Sequence, residues 1–195
     1  GVSSAASDVY KRQLVDAARA NPRKINFGSG GVGSSTHLNA EYFRKLAGVE
    51  LTHVPYKGAG DAMRGILTAE IDLLLAASPT VISQVKGGKV RALAVSGTAR
   101  ASAFPDVPTL GESGVAGYEI TNWFGLAAPR GTPRETVMQI HAAVTKALAD
   151  PGVRERIASQ GAEPGGIPPE AFAKFIADET RRWSELAKAA GVKPE

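Results

Sequence analysis

The sequence predicts an α/β domain with a largely parallel sheet and helices on both of its faces. Four strand-like segments, Lys24–Phe27, Leu51–Val54, Ile71–Ala77 and Val90–Val95, alternate with three short helical ones over roughly 75 residues, the rhythm of strand–helix–strand units. The third segment is almost continuously apolar, as expected of a strand covered on both faces. The first runs straight into a glycine- and serine-rich loop, GSGGVGSS, that opens a helix.

Residues 1–8 are rich in Ser and Ala without periodicity and read as a tail. Lys11–Ala20 sets Leu14, Val15 and Ala18 on one side, a short amphipathic helix stopped by Asn21-Pro22. Thr36–Ala47 is a helix with Leu38, Phe43, Leu46 and Ala47 facing inward, Ser34 or Ser35 as N-cap, and Gly48 just past its end. After the turn at Pro55-Tyr56-Lys57-Gly58 comes a helix over Asp61–Thr68, with Met63, Ile66 and Leu67 in the core. Thr80–Lys86 is helical and Gly87-Gly88 ends it. Pro105, Pro108, Gly111, Gly114 and Gly117 make the next stretch a connector, and Tyr118–Ala128 is extended in character.

Thr132-Pro133-Arg134-Glu135 predicts a helix start with Thr132 as N-cap, Pro133 in the first helical position and Glu135 closing a capping box. Val137, Ile140, Val144, Ala147 and Leu148 then recur at helical spacing. Asp150-Pro151 starts a shorter helix to about Ser159. Pro169 starts a last helix, whose Phe172, Phe175, Ile176, Trp183 and Leu186 mark one face out to Ala190. These helices have no adequate sheet of their own, so they cover the strands above or belong to a second lobe.

The composition, 43% hydrophobic and 22% charged with 22 Gly and 12 Pro, is that of an ordinary soluble domain. The formal charge of +4 comes from basic residues scattered among acids. No basic stripe is interleaved with stacking aromatics, which argues against nucleic acid as a partner. With no Cys, disulfides, thiolate nucleophiles and Cys-built metal sites are excluded within the chain. No stretch approaches the roughly 20 apolar residues of a membrane span, and none has the pattern of a secretory signal, as is also true of a mature, processed chain.

The first candidate site is the loop Ser29, Gly30, Gly31, Gly33, Ser34, Ser35 and Thr36, with His37 beside it. It follows a strand and opens a helix, so free amides and the positive end of the helix favour a carboxylate or phosphate there, with hydroxyls as further donors. Gly28, Gly30 and Gly33 also fit the dinucleotide fingerprint, but the acid that should follow about 20 residues later is lacking, since Glu50 precedes the second strand. A P-loop is excluded because no Lys follows Gly33. The second candidate, Tyr56, Lys57 and Gly58, emerges on the same side of a parallel sheet, with the Tyr56 ring and hydroxyl available to a ligand. Ala76, Ser78 and Pro79 form a third, small-residue wall.

Catalytic and metal patterns are thin. His37, His53 and His141 have no metal-ligand spacing, and no cofactor motif is complete. His53, on an alternating strand, reads as structural. The enzyme alternative is a serine–histidine hydrolase of a small ester, with Ser29 or Ser35 as nucleophile and His37 as base, but no acid is placed to orient the imidazole.

The segments NFGSGGVGSSTHL, HVPYKG, DLLLAASPT with GGKVRALAVSG, FPDVPTLGESG, WFGLAAPRGTP and LADPGVRERIASQGAEP together resemble the substrate-binding proteins of tripartite tricarboxylate transporters, the Bug family. The resemblance runs in order from Leu14 to Val192. It implies a type II-like periplasmic-binding-protein fold, a periplasmic location, capture of a small carboxylate and membrane transporter components as partners, without enzymatic activity. It also implies that most of the first lobe is lacking. Residues 1–20 are then a non-matching tail and short helix, 21–99 the second-lobe ligand-binding domain, 100–131 the crossover and 132–195 helices completing the first lobe. Surfaces meant for that lobe would be free for self-association. Many relatives carry an acid at the position of Ala76; alanine here points to a dicarboxylate or aromatic carboxylate without an ammonium group.

Overall fold

The structure, a computed structural model, describes residues 14–189 and 191–192. The tail read over residues 1–8 and the start of the first helix lie outside the described residues. Strands β1 (Asn26–Ser29), β2 (Thr52–Pro55) and β3 (Leu73–Leu74) form a parallel sheet in the order β2-β1-β3. Helix α1 is described over residues 14–20, α2 (Ser35–Ala47) joins β1 to β2, α3 (Ala59–Leu67) joins β2 to β3, and α4 (Ser78–Lys86) follows β3. With β1 central, the two crossovers step in opposite directions, and their common right-handedness puts α2 and α3 on opposite faces.

The strand alternation agrees with this. Phe27 is fully buried on the α2 face, in one core with Ala40, Phe43 and Ala47 of α2, Ala18 of α1, and Val115, Tyr118 and Ile120 of the connector. Gly28 points the other way, where a Cβ would meet Ile71, Tyr56 and Ala62 of α3.

Helix ends follow local chemistry. The Ser34 hydroxyl accepts the His37 N–H, and Gly48, with φ 63°, closes α2 in the left-handed conformation that costs glycine little. Helices α3 and α4 each begin two residues ahead of the sequence expectation, at Ala59 and Ser78.

Two predicted strands are cut back. The apolar run expected as Ile71–Ala77 pairs only at Leu73–Leu74. Asp72 turns back on β1, its N–H donating to Asn26 O and its carboxylate accepting the Asn26 N–H. Val90–Val95 does not pair on the sheet although β3 is its edge strand: β3 spans only two residues, and Val95 bridges Thr109 instead. Leu73, Leu74 and Leu75 are accordingly half-buried rather than covered on both faces.

Helices α5 (Arg134–Ala149), α6 (Pro151–Ser159) and α7 (Pro169–Ala189) pack on one another and contain no fully buried residue. Helix α7 reaches the α/β layer, through Trp183 and Leu186 against the core. Asp150 caps α6 by accepting the Val153 N–H, as its sequence predicts. Thr132 does not cap α5: its hydroxyl and its N–H both go back to Pro129 O, and Pro133 stands extended before the first helical residue. Glu135 accepts from Gln139 rather than closing a capping box. Glu179 of α7 accepts two indole N–H groups, Trp123 at 3.2 Å and Trp183 at 3.0 Å. Between these helices and the α/β layer lies an open, largely apolar cleft of about 1640 Å³, with Leu75, Ala77, Val90, Phe124, Val144 and Ile157 among its walls. No helix among the described residues is long and apolar enough to cross a membrane.

Candidate functional site

The chemistry gathers at the carboxyl ends of β1 and β2, where parallel strands deliver the N-termini of α2 and α3 to one place. After Ser29 the chain turns through Gly31 (φ 123°) and Gly33 (φ 76°), conformations that favour glycine. Most of this loop's donors serve the loop itself. The Gly30 N–H donates to Thr36 Oγ1, the Gly31 N–H to Ser29 Oγ, the Gly33 N–H to His37 Nδ1 and the Ser34 N–H to Gly31 O. The hydroxyls of Ser34 and Thr36 lie 3.0 Å apart, and Ser34 Oγ also donates to Gly31 O. What remains toward solvent at the helix start is the N–H pair of Ser35 and Thr36, which have no acceptor among the described residues.

The second loop completes the arrangement. The Tyr56 N–H donates to Ser29 O, and Gly58 precedes the first turn of α3, whose Ala59, Gly60 and Asp61 N–H groups are also uncommitted among the described residues. The loops touch: a Cβ on Gly30 would lie 3.4 Å from Ala59 N, and one on Gly31 3.3 Å from Tyr56 O. Two helix N-termini therefore present their positive ends side by side, a setting that favours an anion. The sequence signal for these amides is the strand–Gly–helix junction itself, with the helix expected from Asp61.

Several expected contributors stand elsewhere. The Tyr56 ring is turned down between Gly28 and Gly65, and its buried hydroxyl lies beside the Glu70 carboxylate without well-aligned hydrogen-bond geometry. Half-buried, its ring fills the room that those two glycines leave. Lys57 is exposed. Ala76, Ser78 and Pro79 line the large cleft instead, with Ser78 against Gly161, while the Ser29–His37 loop and Tyr56–Gly58 do not line that cleft.

His37 is buried at 7% exposure and stacks on His53 with ring centres 4.0 Å apart; His53 stacks in turn on Phe27 at 4.8 Å. Ser29 Oγ lies 2.6 Å from His53 Nε2. Burial holds the His37 imidazole below its ordinary value against the pull of Glu41, and burial followed by the neighbouring His37 brings His53 down to about 4. A serine–imidazole pair thus exists, but it joins Ser29 to His53 rather than to His37, and Ser29 has no exposed surface for a substrate to reach. Ser35 is exposed, and the His37 nitrogen nearest the loop is occupied by the Gly33 N–H. No observation here favours hydrolysis. Among the described residues, no group of three or more His, Asp or Glu could hold a metal.

A family profile described as the tripartite tricarboxylate transporter family receptor matches residues 2–192. The chain is 38% identical over 175 residues to the UPF0065 protein in the tcbD-tcbE intergenic region of a Pseudomonas species, covering 89% of this chain and 52% of that protein. It is 33% identical over 184 residues to protein BugT of Bordetella pertussis, covering 92% and 55%. Among solved structures, an R. palustris protein with adipate superposes with TM-score 0.87 at 36% identity, over 93% of this chain and 61% of the other. The periplasmic binding protein BugD gives 0.84 at 34%, over 94% and 62%. MatC from Rhodopseudomonas palustris with bound malate gives 0.79 at 29%, over 89% and 60%. The chain thus spans little more than half the length of these relatives. With the parallel sheet, its flanking helices and a profile match over nearly every residue, the chain belongs to the tripartite tricarboxylate transporter receptor family, the Bug solute-binding proteins, and has their periplasmic-binding-protein-like fold.

Proposed function

We propose that this chain supplies one face of a periplasmic solute-binding protein that captures a small carboxylate for a tripartite tricarboxylate-type transporter and catalyses no reaction. In this reading residues 21–99 are the ligand-binding lobe, 100–131 the crossover and 132–195 the helices of the companion lobe. The observation that carries it is the meeting of two helix N-termini, where the N–H groups of Ser35, Thr36, Ala59 and Gly60 have no acceptor among the described residues. The side chains of Ser29, Ser34 and Thr36 shape that position, and Ser35 adds an exposed hydroxyl.

The ligand class follows from charge. A ligand that extends from the loop amides to the Ala76–Ala77 wall of the large cleft meets no carboxylate there to pair with an ammonium group, and a desolvated unpaired charge costs several kcal/mol. A dicarboxylate or aromatic carboxylate fits better than an amino acid. The adipate and malate named for two structural relatives are dicarboxylates without an ammonium group, which supports this class.

The test is a titration of the isotope-labelled chain with malate, adipate and glutamate at one pH and salt concentration, read at backbone amides. Malate or adipate is expected to move Ser35, Thr36, Ala59 and Gly60, weakly, because few contacts must offset the fixed cost of association. Tightest binding to glutamate would reject the ligand class, and responses that leave these four amides still would reject the site. The exposed Phe124, at 78%, and Leu126, at 71%, give the chain a surface for self-association. A single sedimenting monomer at every concentration would remove that part of the proposal.

A further inference from the structure

Behind the glycine loop stands a stack of three rings, Phe27, His53 and His37, whose planes lie within 15° of one another. Each imidazole grips the loop at a different point. His37 Nδ1 accepts the Gly33 N–H at 3.1 Å, so its own proton sits on Nε2, which lies 3.8 Å from Glu41 Oε1. His53 Nε2 meets Ser29 Oγ, the atom that also accepts the Gly31 N–H. The charged groups facing the pair are Glu41 and Arg44 on α2, with Arg44 held 2.8 Å from Glu41, and the two imidazoles face each other. On their other sides β1 presents the Phe27 ring and the Ser29 hydroxyl.

We propose that His37 and His53 form a proton-operated latch on the glycine loop: while both are neutral they hold Gly33 and Ser29 and keep the α2 N-terminus presented, and a proton on His37 releases the loop. The two histidines respond differently to a proton. Ser29 can turn its hydroxyl and accept from a protonated His53, so that contact survives. A protonated His37 would carry N–H on Nδ1 and face the Gly33 N–H, two donors with no acceptor between them. A second charge 4.0 Å away on His53 adds repulsion in a buried setting. The direction of both imidazole shifts, downward with burial, fits a closed loop that requires neutral rings. His37 and His53 are thus positioning residues that act through Gly33 and Ser29. The regulatory consequence, anion capture near neutral pH and release in acid, rests on the carboxylate-binding reading above, whereas the latch itself belongs to the ligand-free chain.

The experiment follows the Gly33 amide of the ligand-free chain by hydrogen exchange from neutral pH down to about pH 4, with His37 titrated by NMR in parallel. Protection at Gly33, corrected for intrinsic exchange, is expected to fall about tenfold per pH unit between the ordinary histidine value and the titration of His37. Asn places Oδ1 where His37 has Nδ1, so His37→Asn is expected to keep protection at neutral pH and to abolish its fall in acid. Glu41→Gln removes the group that favours the imidazolium and is expected to move the His37 midpoint to lower pH. Gly33 protection that is flat with pH in the parent chain, or that falls equally in His37→Asn, would overturn the latch. Adding malate to the same samples separates the two readings: a pH-dependent Gly33 with no malate response keeps the latch and removes the carboxylate site, and the reverse pattern removes the latch alone.

Discussion

The phenol of Tyr56 lies across Gly65 of α3, so close that a Cβ built on Gly65 would come within 2.3 Å of the phenolic oxygen. Alanine at 65 gains about 1 kcal/mol of helix propensity but overpacks this contact at a cost of about 1–3 kcal/mol. Gly65→Ala is therefore expected to lower stability by up to about 2 kcal/mol in urea unfolding. In a Tyr56→Ala background the ring is gone and the same change should become stabilising. A Gly65→Ala effect of the same sign and size in both backgrounds would show that the contact does not matter.

Acid should weaken the fold earlier than its carboxylates alone require. His53 is neutral in the folded chain, with its value brought down to about 4, whereas the unfolded chain binds a proton near 6.5. The unfolded state then holds more protons through that interval, so the contribution is complete above about pH 6.5, declines as pH falls toward 4 and levels off below. The stabilisation from Glu112, Glu170 and Asp178, held low chiefly by their hydrogen bonds, is complete above the ordinary carboxylate range and is lost only as pH falls through and below it. Unfolding measured at pH 7, 6 and 5 is expected to show a decline that largely disappears when both His37 and His53 are replaced by Asn. A stability unchanged from pH 7 to 5 would contradict it.

Two residues with the same sequence promise should behave differently. Asp150 accepts the Val153 N–H of α6, and Asp150→Ala is expected to cost about 1 kcal/mol. Thr132 only closes its own turn onto Pro129, so Thr132→Ala should cost clearly less in the same thermal or urea unfolding series. Equal losses would mean that Thr132 acts as the cap after all.

The layout of strands and helices was legible wherever local chemistry decides it. Ser34, Gly48 and Asp150 each announce a helix end through a hydrogen bond or a backbone angle that depends on near neighbours. Pairing was not legible, because Val90–Val95 has strand composition but whether it pairs depends on how far the edge strand β3 extends, and β3 is only Leu73–Leu74. The glycine loop stood out, yet the share of its amides used by its own side chains did not, since Thr36 and His37 reach back from inside α2. The direction of Tyr56 turns on two glycines, Gly28 and Gly65, whose joint effect exists only where β1 meets α3. His53 looked structural on strand periodicity, and only the register that sets it beside Phe27 brings it behind the loop.

Glu179 holds both of the chain's tryptophans on one carboxylate, and this decides what light can report. Trp123 sits in the segment leading away from the α/β layer, and Trp183 sits where α7 meets the core. Intrinsic fluorescence is therefore a monitor of that seam, and its colour and intensity will change when the two indoles part company. An anion arriving at Ser35 and Ala59 touches neither chromophore, so an unchanged spectrum on adding a carboxylate would be a blind spot of the probe, and a changed one would announce that the seam had moved.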